Sequence, residues 1–224
     1  LVEKILARHE RLPGGWQVDG TTGYEFMDAV GGLLHDPAGE APLTALHQQL
    51  TGNENTFHDE EVVARRQILR DYLSAELAGA ALLLHRVLQR EPATRDFTLT
   101  GIRRALAEIA AHFPVYRTYV TAAGASVSDR AIIDETIARA RARWTAPDPN
   151  IFDFLRDAIT LDLAAMPGTS APRLRNVALK LQQFTGPLMA KALEDTTFYR
   201  HHRLLALNEV GGEPVGGAGA QALR

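Results

Sequence analysis

The sequence predicts a mainly α-helical fold with a few short strands, on three observations. Apolar residues recur at three- and four-residue spacing through most of the chain, and caps or prolines stand at the ends of those runs. The β-branched and aromatic stretches are few, and never fall at the regular spacing of strand–helix–strand units. With 224 residues, 46% hydrophobic and 23% charged, the chain suffices for one sizeable core or two small ones.

Taken in order, Leu1 to Leu6 is an apolar run bounded by charge and by Pro13-Gly14-Gly15, and reads as a buried strand. Gly20-Thr21-Thr22-Gly23 is a turn whose threonines can cap a helix through Phe26, Met27, Val30, Leu33 and Leu34, ended by Asp36-Pro37. A short helix from Pro42 to Leu50 closes at Gly52-Asn53. From His58 to Arg90 the spacing predicts one long amphipathic helix, loosened at Gly79, with Arg65, Arg66, Arg70 and Glu76 on a solvated face. A helix from Thr100 to His112 precedes Phe113 to Val120, which is rich in β-branched and aromatic residues and reads as a strand or extended segment. Ser128-Asp129 offers a cap to a helix ending near Trp144, and two more helices run from Asn150 to Leu163 and from Pro172 to Phe184. Pro187 is expected to interrupt the chain there, and the closing glycine-rich stretch from Gly211 is flexible by composition. The chain starts in an apolar segment without an initiating Met, and is read as an excerpt of a longer polypeptide in which a helical insertion rides on an α/β structure.

Composition narrows the function classes. A formal net charge of −3 lacks the basic excess of a phosphate-neutralising protein, so no nucleic-acid partner is expected. No apolar run approaches the roughly 18 to 20 residues of a membrane span, so no membrane partner is expected either. The absence of cysteine suits a reducing compartment, and the cytoplasm is the expected location. His58-Asp59-Glu60-Glu61 lacks the second histidine of a zinc-protease helix, and His201-His202 has no carboxylate at ligand spacing. Gly217 to Ala222 matches a dinucleotide fingerprint in letters only, without a following helix. Neither a metal nor a cofactor is implied.

Two clusters remain. Glu3-Lys4 lies inside the first apolar run, ahead of Trp16 and Tyr24. Near the end, Gln182 to Lys191 leads into Glu194-Asp195, Tyr199-Arg200 and Asn208 to Gly212. Both interleave carboxylates, amides, cations and aromatics, the chemistry that stacks on pyranose rings and bonds their hydroxyls. The plainer readings are a solvated strand-end carboxylate for Glu3 and a helix N-terminal pair facing water for Glu194-Asp195.

The motifs Val2-Glu3-Lys4-Ile5-Leu6, Glu10-x-Leu12-Pro13-x-x-Trp16-x-Val18-x-Gly20-Thr21-Thr22-Gly23-Tyr24 and Phe113 to Tyr119 resemble the maltooligosyl trehalose synthase family. So do Thr185-Gly186-Pro187-x-Met189-Ala190-Lys191, Glu194-Asp195-Thr196-x-Phe198-Tyr199-Arg200 and Asn208-Glu209-Val210-Gly211-Gly212. The resemblance implies a partial (β/α)8 barrel of the α-amylase class, entered at its fifth strand and carrying a helical insertion. It assigns 1–50 to the barrel, 51–200 to the insertion with a candidate barrel strand at 113–120, and 201–224 to a return segment. The implied reaction is an intramolecular transglycosylation that turns the reducing-end α-1,4 bond of a maltooligosaccharide into an α,α-1,1 bond. By the same resemblance Glu3 is the catalytic acid/base. Tyr24, Arg117, Tyr119, Lys191, Glu194, Asp195, Tyr199 and Arg200 are candidates for the sugar pocket. The family's nucleophilic aspartate and its third carboxylate fall outside this chain, so the implied partners are a maltooligosaccharide and the missing barrel segments, and the chain alone is expected to be inactive. The alternative is a non-catalytic helical carbohydrate-binding or interaction module.

Overall fold

The computed structural model describes residues 1–7, 10–89, 94–146, 148–165, 170–212 and 214. They form helices α1 (Tyr24–Leu33), α2 (Glu40–Thr51), α3 (Phe57–Asp71), α4 (Ser74–Leu88), α5 (Leu99–Ala111), α6 (Val127–Ala142), α7 (Ile151–Thr160) and α8 (Ala171–Met189), with short 3₁₀ turns and one π-turn, Ala190–Glu194. The chain divides into two compact units, Leu1–Ala64 with Ala190–Arg224, and Arg65–Met189.

The second unit holds the larger apolar core. Its helix α4 packs on α5 and α8, and α7 packs on α6 and α8. Leu84 and Leu88, Ile102 and Leu106, Phe152 and Leu155, and Leu174 and Val177 are all completely buried, each pair at the three- or four-residue spacing that places it on one helical face. Helix ends are set locally. Thr98 Oγ1 accepts the Gly101 N–H at the start of α5, and Ser126 with Asp129 forms a reciprocal capping box on α6. The α6 cap is therefore Ser126, two residues ahead of the expected Ser128. Arg156 binds Asp134 at 2.7 Å, Asp157 at 3.0 Å and Asp162 at 3.3 Å, clipping α7 to α6 on the surface.

Several expectations are corrected. The single helix from His58 to Arg90 is two, α3 and α4, because the Tyr72 and Leu73 N–H groups both turn back to the Ile68 carbonyl, at 2.9 and 3.0 Å, closing the first helix. Gly79 sits inside α4 without breaking it. Arg65 is not on a solvated face. It is 2% exposed, donating to the Ala111 carbonyl at 3.1 Å, where a cation complements the C-terminus of α5, and to Met189 Sδ at 3.0 Å. Pro187 does not interrupt α8, which continues to Met189. The residue ahead of a proline is normally pushed from helix by a clash with its own Cβ, and here that residue is Gly186.

Neither expected strand forms a ladder among the described residues. The 1–6 segment makes an isolated parallel bridge between Val2 and Thr21, and the 113–120 segment is irregular, bent at Val115 and Tyr116, and followed by an isolated bridge, Thr121 to Gly124. A strand needs a neighbour along its edge, and each segment finds a substitute for one. For Val120 the substitute is a side chain: Gln182, 3% exposed on α8, accepts the Val120 N–H at 2.6 Å and donates to its carbonyl at 3.2 Å. Of the glycine-rich closing stretch, residues 213 and 215–224 lie outside the described residues, as does the rejected dinucleotide fingerprint.

Candidate functional site

In the first unit, the Val2 N–H donates to the Gly20 carbonyl at 3.0 Å and the Thr22 N–H to the Val2 carbonyl at 3.1 Å, which fixes the 1–6 segment beside the 20–22 turn. Gly23, at φ +95, starts α1 from the left-handed region that glycine adopts freely. Tyr24 is thereby delivered to Glu3, its Oη 3.4 Å from Glu3 Oε1. The Glu3 carboxylate is exposed, whereas the next residue is not: Lys4 is 6% exposed, donating to Glu10 Oε1 at 2.7 Å and to the Ile5 carbonyl at 2.9 Å. Glu10 Oε2 also accepts the Ala7 N–H at 3.1 Å. The alternation aims Glu3 outward and anchors the chain one residue later.

The Asn208-to-Gly212 motif backs this arrangement. Gly211 has φ +78, and a Cβ there would stand 3.4 Å from both Ile5 Cγ2 and Tyr24 Cβ. At Gly212 a Cβ would come within 2.9 Å of the Glu209 carbonyl and 3.0 Å of the Leu207 carbonyl, closer than side chains pack. Both glycines are required by geometry.

The second cluster follows the π-turn, where the Asp195 N–H reaches back five residues to the Ala190 carbonyl at 3.0 Å. Such wide turns recur at functional sites. Lys191 and Asp195 pair at 2.5 Å on the surface, and this hydrogen bond raises the lysine above its ordinary value. Glu194 is half-buried. Burial, then the Asp195 charge, pushes its carboxyl above the usual range. The two carboxylates thus lie at the end of a helical stretch, where the plainer expectation had put them at a helix start. Tyr199 ends a 3₁₀ turn and Arg200 follows it, and both are exposed.

Arg117 and Tyr119 belong to the second unit. The Arg117 guanidinium lies 4.8 Å from the Tyr119 ring centroid, a cation–π pair, and Asp129 accepts the Tyr119 N–H at 2.8 Å. The predicted residues therefore fall into three groups: Glu3 with Tyr24; Lys191, Glu194 and Asp195 followed by Tyr199 and Arg200; and Arg117 with Tyr119. Sequence reasoning passed over the hydrogen-bonding roles of Gln182 and Asn208, because both act on backbone groups and neither carries a charge pattern. Among the described residues, no group of three or more His, Asp or Glu side chains could hold a metal ion, and no helix is long and apolar enough to cross a membrane.

No protein-family model matches the chain. A Mycobacterium tuberculosis (strain H37Rv) protein, provisionally named maltooligosyl trehalose synthase, is 34% identical over 214 residues, 96% of this chain and 25% of its own length. The solved structure of maltooligosyltrehalose synthase from Arthrobacter ramosus superposes with a TM-score of 0.74 at 32% identity, over 95% of this chain and 24% of that one. A hypothetical maltooligosyl trehalose synthase from Sulfolobus tokodaii shares the fold at a TM-score of 0.64 and 23% identity, over 95% of this chain and 23% of that one. The chain spans about a quarter of the length of the relatives it matches. Along nearly all of its own length, this chain is similar in sequence and in fold to about a quarter of the length of these maltooligosyl trehalose synthases.

Proposed function

We propose that this chain is part of an intramolecular transglycosylase of the α-amylase class, which converts the reducing-end α-1,4 bond of a maltooligosaccharide into the α,α-1,1 bond of a trehalose terminus. The observation that carries the reading is the identity to maltooligosyl trehalose synthases over 96% of the chain. Residues 1–50 are the portion of the barrel beginning at its fifth strand, 51–200 the helical insertion, and 201–224 the return segment. The remaining barrel segments supply the nucleophilic aspartate and the third carboxylate.

Glu3 is the general acid/base. Retention at an anomeric carbon takes two displacements, with a nucleophilic carboxylate about 5 to 5.5 Å from the acid/base. In the first, the nucleophile attacks C1 of the penultimate glucosyl unit while Glu3 protonates the departing O4 of the terminal glucose. The freed glucose then turns over within the cleft. In the second, the Glu3 carboxylate takes the proton of the glucose 1-hydroxyl, whose oxygen attacks the glycosyl-enzyme at C1 and releases the nucleophile. Glu3 ends protonated, as it began. The exposed Glu3 carboxylate, with the Tyr24 hydroxyl at 3.4 Å, is well disposed for a group that must reach substrate.

Water competes with glucose for the intermediate, so the enzyme has to hold a neutral sugar and exclude solvent. By the family resemblance, Lys191, Glu194, Asp195, Tyr199 and Arg200 are the candidates for holding the sugar, and Tyr24, Arg117 and Tyr119 are further candidate sugar contacts. A net charge of −3 suits an uncharged glucan.

The test is maltopentaose turnover. The 224-residue chain alone makes no trehalose-capped product, the full-length synthase carrying this sequence does, and Glu3→Gln in it lowers turnover by about 10²- to 10⁴-fold. Product from the chain alone, or full turnover by Glu3→Gln, overturns the reading.

A further inference from the structure

Asn208 joins two loops of the first unit. Its Nδ2 donates to the Phe198 carbonyl at 2.9 Å and to the His201 carbonyl at 2.7 Å. Those carbonyls bracket Tyr199 and Arg200. With both donors spent on carbonyl oxygens, the amide has a single workable orientation, because a flip would set its own oxygen against them. Its Oδ1 stays buried without a partner, so the fold keeps this residue for its donors at the expense of an unsatisfied acceptor. Tyr199, 75% exposed, ends a three-residue 3₁₀ turn, in which the Tyr199 and Arg200 N–H groups donate to the Thr196 and Thr197 carbonyls at 3.2 and 2.9 Å.

On its other side Asn208 opens the loop that ends in Gly211 and Gly212. The Gly212 N–H closes that loop onto the Glu209 carbonyl at 2.7 Å, and Gly211 abuts Ile5 and Tyr24. Tyr24 in turn reaches Glu3. One amide thus connects the loop carrying Tyr199 and Arg200 to the backing of Glu3.

We propose that Asn208 is a positioning residue for the isomerisation step, fixing the groups that hold the released glucose relative to the acid/base. The proposal rests on the roles given above to Glu3, Tyr199 and Arg200. Displacements of about an ångström change the rates of oriented reactions by orders of magnitude. The step most exposed to such drift is the return attack, in which a loose glucose must present its 1-hydroxyl to Glu3 before water arrives. Loss of Asn208 therefore moves the partition between isomerisation and hydrolysis.

The experiment compares trehalose-capped product with free glucose formed from maltopentaose by the full-length synthase. Asn208→Asp keeps the shape, removes both donors and sets a carboxylate against two carbonyl oxygens. The ratio of capped product to glucose is expected to fall about ten-fold or more, whatever the total turnover. A role confined to folding would lower the thermal midpoint and leave the ratio of the folded enzyme unchanged, and that result overturns the proposal. Should Asn208→Asp fail to accumulate folded, Asn208→Ala is read the same way, with an unchanged ratio again overturning it. Glu3→Gln separates the two levels. If it cleaves as fast as the unaltered enzyme, the reading of Glu3 falls and the proposal with it. If it abolishes cleavage while both Asn208 variants keep the ratio, only the proposal falls.

Discussion

Beside Glu3, Lys4 and Glu10 form a pair with side chains 6% and 9% exposed, 2.7 Å apart. Removing one partner of a buried pair strands the other, which typically costs about 3 kcal/mol or more. Lys4→Met should therefore destabilise the chain by about 3 kcal/mol in urea denaturation, and a loss under about 0.5 kcal/mol would mean that Glu10 finds water instead. Two other groups give stability opposite pH slopes. Burial, then His47 and Arg203, holds His201 below its ordinary 6.5, so the unfolded chain takes up the proton first, and stability falls as pH drops below about 6.5. His201→Leu should flatten that fall in a thermal-midpoint series from pH 8 to pH 5. Glu194 is raised above its ordinary 4.5, so its ionisation opposes folding above the raised value and ceases to matter below 4.5. Glu194→Gln should then raise the midpoint at pH 7.5, with the gain shrinking toward pH 4.5; a gain constant with pH would reject burial of the charge as its cause. Residue by residue, contiguous motifs singled out Glu3 and Tyr24, and the fold sets the two side by side. Asn208 and Gln182 stayed hidden because an amide serving backbone groups looks like any polar residue, and Arg65 was misread because its helical phase was judged by charge alone.

Among the elements, most helices were legible because burial imposes its period on the sequence, whereas three junctions were not. The break between α3 and α4 leaves the apolar spacing intact on both sides, so only the paired return of the Tyr72 and Leu73 N–H groups to Ile68 reveals it. The passage of α8 through Pro187 depends on Gly186 ahead of it, and the π-turn after it has no known sequence marker here. The irregular 113–120 segment looked like a strand because its residues fit an edge, but its partner at Val120 is the Gln182 amide, 62 residues away. This predicts an outsized cost for one side chain. Gln182→Leu keeps the bulk of α8 and leaves the Val120 N–H and carbonyl unmet, and Val120 is 5% exposed. Each buried unmet group costs about 1 to 3 kcal/mol, so the loss should reach about 2 to 4 kcal/mol in urea denaturation followed by circular dichroism. A loss below about 1 kcal/mol would show that water or a shifted backbone serves Val120 equally well.

Across the whole molecule, burial is divided unevenly. Helices α4, α5 and α8 each bury six or more residues, while α2 buries none and α1 only Ala29 and Gly32. Yet α1 with its capping Leu34 carries Phe26, Met27, Val30, Leu33 and Leu34, and α2 carries Leu43, Leu46 and Leu50, each more than a third exposed. On α1 these positions follow the i, i+1, i+4, i+7, i+8 pattern of a single apolar face, the signature of a helix meant to be covered. Local opening is cheapest where few apolar contacts must be broken, so backbone amides of α1 and α2 should exchange with deuterium well before those of α4, α5 and α8 in the 224-residue chain. Equal protection throughout would contradict the uneven core. The same measurement bears on the proposed function, because relatives four times as long carry additional polypeptide. In the full-length synthase, barrel segments against α1 and α2 would slow their exchange toward that of α4, while α4, α5 and α8, already enclosed, would change little. If α1 and α2 exchange as quickly there as in the chain alone, their apolar face is not a barrel surface, and residues 1–50 lose their assignment to the barrel.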